Sequence, residues 1–386
     1  MKSAEILAVI FIFLIIFPYI IYPALLWILS KLFKKPVKID NNYKPPITFI
    51  LSVHNEEKLL RKTIESVFNS GYPLELINFI IGSDGSTDNS CTIVKELMEK
   101  YKKLELYEFP RSGKNFVINQ IVPQAKTNII IFIDADTNIL PGTLDSYLSY
   151  YSDDTVGSVV ASVDYFNKIG NSGSFGEALY QKLESFIRIW EGNIKSNTNT
   201  LSAMYGIKKE LFSPIPNDNV CDDLYILLNV SLKRKRVIFD KSTKVIDIRR
   251  KSMSGEMKRR IRFVAGGLAA IWSMKRLLIP DYGWVSFFLF SHKLLRYFSP
   301  LLLIGLFICT FFMVPNSVFY QIFIYGQLIL YMFSFLGWVL EKIKINFILF
   351  KVPLFFVMIN IGFLFGILKF VRGSQNAIWE KVVPNT

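Results

Sequence analysis

Asp134 and Asp136 stand at the end of the run Ile129-Ile130-Ile131-Phe132-Ile133, with Ala135 between them. Five apolar β-formers in a row read as a strand buried on both faces, and the charges begin where it ends. Residues two apart on an extended chain point the same way, so the tripeptide can present two carboxylates side by side. Hard oxygen ligands suit Mg²⁺ or Mn²⁺, the ions that accompany phosphate-bearing substrates. A solvated turn ahead of Pro141-Gly142 would carry the same residues, so context must decide. A second acidic pair, Asp222-Asp223, follows Cys221 at the head of the helical stretch 224–232. Near a helix N-terminus such acids serve as caps favoured by the dipole. In a catalytic reading, one of them accepts a proton from an attacking hydroxyl.

Further polar groups fall at the ends of other predicted strands. The first strand runs into His54-Asn55-Glu56-Glu57, the second into Gly82-Ser83-Asp84-Gly85-Ser86-Thr87-Asp88. Gly85 allows a tight turn, residues 86–88 supply helix-capping groups, and Asp84 is left to face a ligand. Arg111-Ser112-Gly113-Lys114, with Asn115 and Asn119 behind it, could hold a diphosphate or be an ordinary surface loop. His54 is one of two histidines in the chain and is assigned no catalytic role.

These groups need a scaffold, and residues 44–250 provide one. Strands are predicted at 47–53, 77–82, 104–109, 128–133, 158–163 and 236–240. Helical stripes lie between them, with Leu60, Ile64, Val67 and Phe68 on one and Val94, Leu97, Met98 and Tyr101 on the next. Such alternation predicts an α/β domain with a mostly parallel sheet covered by helices, whose ligands bind beyond the carboxyl ends of the strands.

On either side the chain turns apolar. Residues 6–29 are long enough to span a bilayer, with Pro18 and Pro23 expected to bend the segment, giving an anchor at 1–30. A second apolar block at 284–370 divides into spans near 295–314, 319–340 and 347–369. Residues 251–283 contain an amphipathic helix, where Met257, Ile261, Val264, Leu268 and Ile271 form one stripe and Arg259, Arg262 and Gly266 the opposite face. A tail, 371–386, ends the chain.

The net charge is +14, and much of the excess sits beside apolar segments, at Lys31, Lys34, Lys35 and Lys38 and within 233–236, 249–251 and 258–262. Positive-inside bias then puts residues 44–250 in the cytoplasm. Membrane lipids, not nucleic acid, are the expected partner of the basic clusters. Three spans after a cytoplasmic domain would leave the C-terminus outside, whereas Lys369, Arg372 and Lys381 favour the inside. Cys91, Cys221 and Cys309 are scattered and imply no disulfide framework.

Taken in order, Asn55-Glu56-Glu57, Ser83 to Asp88, Gly113-Lys114 through Asn119, Asp134-Ala135-Asp136, Asp222-Asp223 and a late arginine helix resemble the membrane-embedded branch of the family-2 glycosyltransferases. The likeness covers about residues 46–271. It implies a GT-A, Rossmann-like domain in the plasma membrane, working on the cytoplasmic side. Carried over position by position, it implies that Val53, Glu56, Asp84 and Lys114 line the nucleotide-sugar site with Asp134, Arg259 and Arg262. Asp136, with Asp134, is implied as the Mg²⁺ or Mn²⁺ ligand. Asp223 looks like the general base, Asp222 its neighbour and substitute, and Arg262 the arginine of the family's Gln-x-x-Arg-Trp motif.

Here that motif reads Arg259-Arg260-Ile261-Arg262-Phe263. Phe263 keeps a stacking face for an acceptor sugar and lacks the indole N–H. The expected reaction is inverting transfer from a nucleotide-diphosphate sugar, expected to be UDP-linked, to a growing polysaccharide. The alternatives are single addition to a lipid or lipid-linked glycan and, more remotely, nucleotidyl transfer.

Overall fold

In the computed structural model, residues 2–165, 175–199, 203–247, 253–313, 318–343, 345 and 347–373 are described. The basic residues 249–251, Lys381 and most of the tail lie outside them. Among the described residues, eight strands form one sheet: β1 (Ile47–Val53), β2 (Ile77–Asp84), β3 (Leu104–Phe109), β4 (Ile129–Ile133), β5 (Thr137–Ile139), β6 (Val156–Tyr165), β7 (Met204–Lys208) and β8 (Arg236–Asp247). Their spatial order is β3-β2-β1-β4-β7-β6-β8-β5. The pairs β1/β2, β1/β4, β2/β3 and β6/β8 are parallel, while β7 runs antiparallel to β4 and β6, and β5 to β8. The sheet is therefore mixed, with parallel pairs in the majority.

The helices are α1 (Lys2–Ile16), α2 (Tyr22–Leu32), α3 (Leu60–Phe68), α4 (Ser90–Lys100), α5 (Lys114–Ile121), α6 (Thr143–Ser149), α7 (Phe175–Ile194), α8 (Asp222–Leu232), α9 (Met253–Ser273), α10 (Trp284–Phe288), α11 (Leu295–Met313), α12 (Val318–Lys342) and α13 (Ile348–Val371). Alternation along β1 divides the core in two. Phe49, Leu51 and Val53 pack with Leu60 and Ile64 of α3, Val94 of α4 and Leu148 of α6. Ile50 points the other way, into a cluster with Val117 and Ile121 of α5 and Ile226 and Val230 of α8. Each such side chain fully buried contributes roughly 1.5–3 kcal/mol, enough for the two-sided burial to fix strand register. Both faces are covered by helices, so the polar loops emerge at the strand ends.

Among the described residues, four helical segments are long and apolar enough to cross a membrane: Glu5–Leu32, Trp284–Met313, Val318–Lys342 and Ile348–Val371. A π-helical turn, Phe17–Ile21, contains Pro18 and joins α1 to α2, where the prolines were expected to bend the chain. The second segment begins earlier than the expected residue 295. It takes in α10, a π-helical turn at Leu289–Leu294 and α11, so His292, Lys293 and Arg296 fall within it.

The apolar stripe of α9 meets protein. Val264, Leu268 and Ile271 pack with Ile359, Phe363 and Ile367 of α13. The opposite face is covered too, because a Cβ on Gly266 would stand 2.8 Å from Cβ of Cys221, just ahead of α8. A larger residue there would push α9 away from the acidic pair that opens α8.

Candidate active site

Loops from the first three strands are knitted together by side chains on the backbone. Asn55 takes a left-handed conformation (φ 55°), which Asn tolerates better than most residues, and its Oδ1 accepts the N–H of Thr87 at 2.8 Å. The N–H of Glu56 donates to Ser90 Oγ at 2.9 Å, and Glu57 accepts the N–H of Asn89 at 3.1 Å. His54 donates from Nδ1 to the Asp84 carbonyl at 2.8 Å, a structural role. Val53 is 1 % exposed and belongs to the core, so a ligand could meet only its backbone.

Asp84 was expected to face a ligand. Instead it is 2 % exposed, and both its oxygens are engaged by the loop after β3. Oδ1 accepts the N–H groups of Ser112 and Gly113 at 2.6 and 2.9 Å, while Oδ2 pairs with the Arg111 guanidinium. Gly85 (φ 63°) makes this possible, since a Cβ there would meet Arg111 N at 2.7 Å. The carboxylate thus fixes the loop that delivers Lys114 to the start of α5.

Asn115 and Asn119 set the other coordinate of Lys114. Asn115 donates to the carbonyls of Pro216 and Asn219, and Asn119 exchanges two hydrogen bonds with Ile215. These bonds tie α5 to the segment leading into α8. As a result, the Lys114 ammonium lies 2.9 Å from Asp222 Oδ2 and 3.4 Å from Asp134 Oδ1. One cation joins two acidic motifs that are far apart in sequence. Burial opposes its charge, but Asp222 and Asp134 outweigh that and hold the ammonium above its ordinary range.

The Asp134-Ala135-Asp136 tripeptide begins where the strand ends, as expected, but it forms the turn between β4 and β5 instead of the extended backbone that would set its carboxylates side by side. Thr137 N–H donates to the Asp134 carbonyl at 3.1 Å, Thr63 Oγ1 to the Ala135 carbonyl at 2.7 Å, and Asp134 N–H to Ala203 at 3.0 Å. Asp134 and Asp136 stay partly exposed at the end of the buried strand. Among the described residues no three His, Cys, Asp or Glu side chains converge as a ready-made metal cage. Two accessible carboxylates fit an ion that completes its shell with diphosphate oxygens and water.

Asp223 is placed differently from Asp222. Its Oδ1 accepts the Leu224 N–H at 2.7 Å and the Cys221 thiol at 3.3 Å. Burial and the neighbouring Asp222 raise its carboxyl above the usual range, the direction that suits a proton acceptor. The base form is then lost at a higher pH than for an ordinary Asp. Asp222→Asn removes the adjacent negative charge and is expected to move the acidic limb of a kcat–pH profile downward. An unmoved limb would separate that limb from Asp223.

Asp223 lines a pocket together with Phe263 and Arg260 of α9, Tyr180 and Glu184 of α7, and Lys293. The structure thus brings Phe263 to the pocket of Asp223, and Lys114, Asp134, Asp222 and Asp223 to one another. Arg259 and Arg262 do not line this pocket; Arg260 is the α9 arginine that does. The Arg262 guanidinium lies 5.5 Å from the Phe263 ring.

Helix α7 escaped sequence reading altogether, as did its partners. His292 sets Nδ1 2.7 Å from Glu191 and Nε2 3.0 Å from Glu184, and Arg296 pairs with Glu184. Tyr22 of α2 donates to Glu191 at 2.7 Å. Burial opposes ionisation of Glu184, but Arg296 and His292 hold its carboxyl well below the usual range. This network docks α7 onto the first and second apolar segments. Its signal was charge inside an apolar block, which ordinarily marks a functional position.

Sheet order, loop convergence and acidic turns define a GT-A glycosyltransferase fold flanked by helices able to cross a membrane. Residues 48–208 match the family described as Glycosyl transferase family 2. It is similar to the poly-beta-1,6-N-acetyl-D-glucosamine synthase of Staphylococcus aureus, at 24 % identity over 272 residues, 66 % of this chain and 65 % of that one. The synthase of Staphylococcus epidermidis is also 24 % identical, over 289 residues and 68 % of each chain. The matched stretch thus spans about two thirds of these curated relatives. In architecture, the chain is similar to a mannosyltransferase of Pyrobaculum calidifontis solved with GDP-Man and Mn²⁺. That structure covers 96 % of this chain and 99 % of its own, with a TM-score of 0.74 at 17 % identity.

Proposed function

We propose that this enzyme transfers a sugar, with inversion, from a nucleoside-diphosphate sugar to an acceptor hydroxyl presented at the cytoplasmic face of the plasma membrane. One observation carries the reading: Lys114 holds Asp134 and Asp222 together beside the pocket that Asp223 lines. In this reading Glu56 and the loops after β1 and β2 receive the nucleotide. Lys114 gives up part of its ion pairing to the diphosphate and offsets charge growing on the leaving group. Asp223 takes the acceptor proton as the hydroxyl oxygen attacks the anomeric carbon from the side opposite the diphosphate. Phe263 supports the acceptor ring by stacking. Asp136 and Asp134 would hold Mg²⁺ or Mn²⁺, which when bound supplies positive charge against the diphosphate. Arg259 and Arg262, outside the pocket, would support α9 and the donor side.

Similarity to a polysaccharide synthase supports a growing glycan as acceptor, while a lipid or lipid-linked glycan is favoured by the position of the pocket among apolar helices. The lysines at 31, 34, 35 and 38 support a cytoplasmic domain by the positive-inside rule. The test is incubation of the full-length protein in membranes with labelled UDP- and GDP-sugars and Mn²⁺. Label in product with matching release of nucleoside diphosphate is expected, lost on chelation with EDTA. Release of pyrophosphate would overturn the reading in favour of nucleotidyl transfer.

A further inference from the structure

Lys293 is a cation in the acceptor pocket that the catalytic scheme does not use. It sits on the π-helical turn Leu289–Leu294, an irregularity that often accompanies functional positions. It is 8 % exposed, and among the described residues it makes no hydrogen bond and no ion pair. The Tyr297 ring lies 5.9 Å from its Nζ. Its neighbour Arg296 is paired with Glu184, so the carboxylate on that wall is already committed. A buried ammonium without a partner is costly, and an arriving anion would remove the cost. Arg260 of α9 adds positive charge to the same pocket, with its guanidinium 5.4 Å from the Tyr180 ring.

A second cavity lies within the apolar bundle. This groove is lined by Pro300, Leu303 and Ile304 of α11, Tyr331 of α12, and Phe356 and Asn360 of α13. Tyr297 and Phe363 line the pocket beside Asp223, and Pro300 and Asn360 line the groove. Tyr297 and Pro300 are three residues apart on α11, as are Asn360 and Phe363 on α13, so the two cavities occupy successive turns of these helices. A cationic head pocket followed by an apolar groove matches an amphiphile with its anion at the junction.

Building on the glycosyl-transfer reading, we infer that the acceptor is a phosphate-bearing lipid, with its phosphate at Lys293 and Arg260, its chain in the groove between α11 and α13, and a head-group hydroxyl at Asp223. That hydroxyl oxygen forms the bond to the anomeric carbon as the bond to the diphosphate breaks. The proton passes to Asp223, the nucleoside diphosphate leaves, and the lipid phosphate is unchanged.

The test uses the full chain in phosphatidylcholine nanodiscs, with the labelled donor that turns over. Three probes are compared: phosphatidylinositol, an isoprenyl diphosphate-linked N-acetylglucosamine, and neutral dodecyl glucoside. Label is expected in the organic phase with one of the first two, which tells a glycerolipid from an isoprenoid source, and at least tenfold less with dodecyl glucoside. Lys293→Met is expected to raise the acceptor KM at least tenfold while donor binding persists, and Lys293→Arg to recover most of it. Equal use of dodecyl glucoside, a Lys293→Met protein with unchanged acceptor KM, or label only in water-soluble polymer would overturn this inference and leave glycosyl transfer standing. No donor turnover with any acceptor would overturn the transferase reading, and this inference with it.

Discussion

Asp223→Asn is expected to lower kcat by about 10²–10⁴-fold, the range for loss of a general base, while nucleotide binding changes little. The amide keeps the shape and can still accept the Leu224 N–H, but it cannot take the acceptor proton. The variant should fold without penalty. Burial and Asp222 raise the Asp223 carboxyl, so its ionised form weakens the folded state above that pKa, and the weakening is relieved as pH falls through it. Asn removes that charge, and a melting temperature at or above that of the parent is expected at neutral pH. Turnover within tenfold of the parent would remove Asp223 as the base, and Asp222 would then be tested in its place. Single-turnover rates with titration calorimetry for nucleotide separate chemistry from binding.

Lys114→Met is expected to cost about 10²–10³-fold in kcat, the usual effect of deleting one preorganised charge at a developing anion. The structure adds a second consequence. Without the ammonium, Asp134, Asp222 and Asp223 face one another with less compensation, so the Asp223 carboxyl rises further and the acidic limb of the rate profile moves up in pH. Lys114→Arg keeps the charge and should restore most of the loss. Paired measurements of kcat and of the limb in both variants check this. A Met variant with kcat within threefold of the parent would exclude Lys114 from leaving-group stabilisation.

Much of this site could be read along the chain because each polar motif follows an apolar run with period-two or buried character. Residues 47–53, 104–109 and 129–133 are strands almost to the residue, since burial on both sides leaves few alternatives for such runs. Two strands escaped. Met204–Lys208 is short and interrupted by Gly206, and Thr137–Ile139 is three residues long; both are stabilised by cross-strand partners distant in sequence. The order of motifs was likewise legible, whereas their contacts were not. Asp84 looked free because its partners, at 111–113, belong to another loop. Helix α7 and the His292 network stayed hidden for a related reason: Glu184 and Glu191 become meaningful only beside charges more than a hundred residues away.

By itself, the sequence determined the α/β domain, the apolar segments around it and the acidic, glycine and lysine motifs at the strand ends. Those follow from local periodicity and residue chemistry, which act over a few residues. Only the tertiary structure decided that Lys114 joins Asp134 to Asp222, that Asp223 and Phe263 share a pocket, and that Lys293 enters it unpaired. Electrostatic partnership depends on distance in space, and packing of α5, α8, α9 and the apolar helices sets those distances.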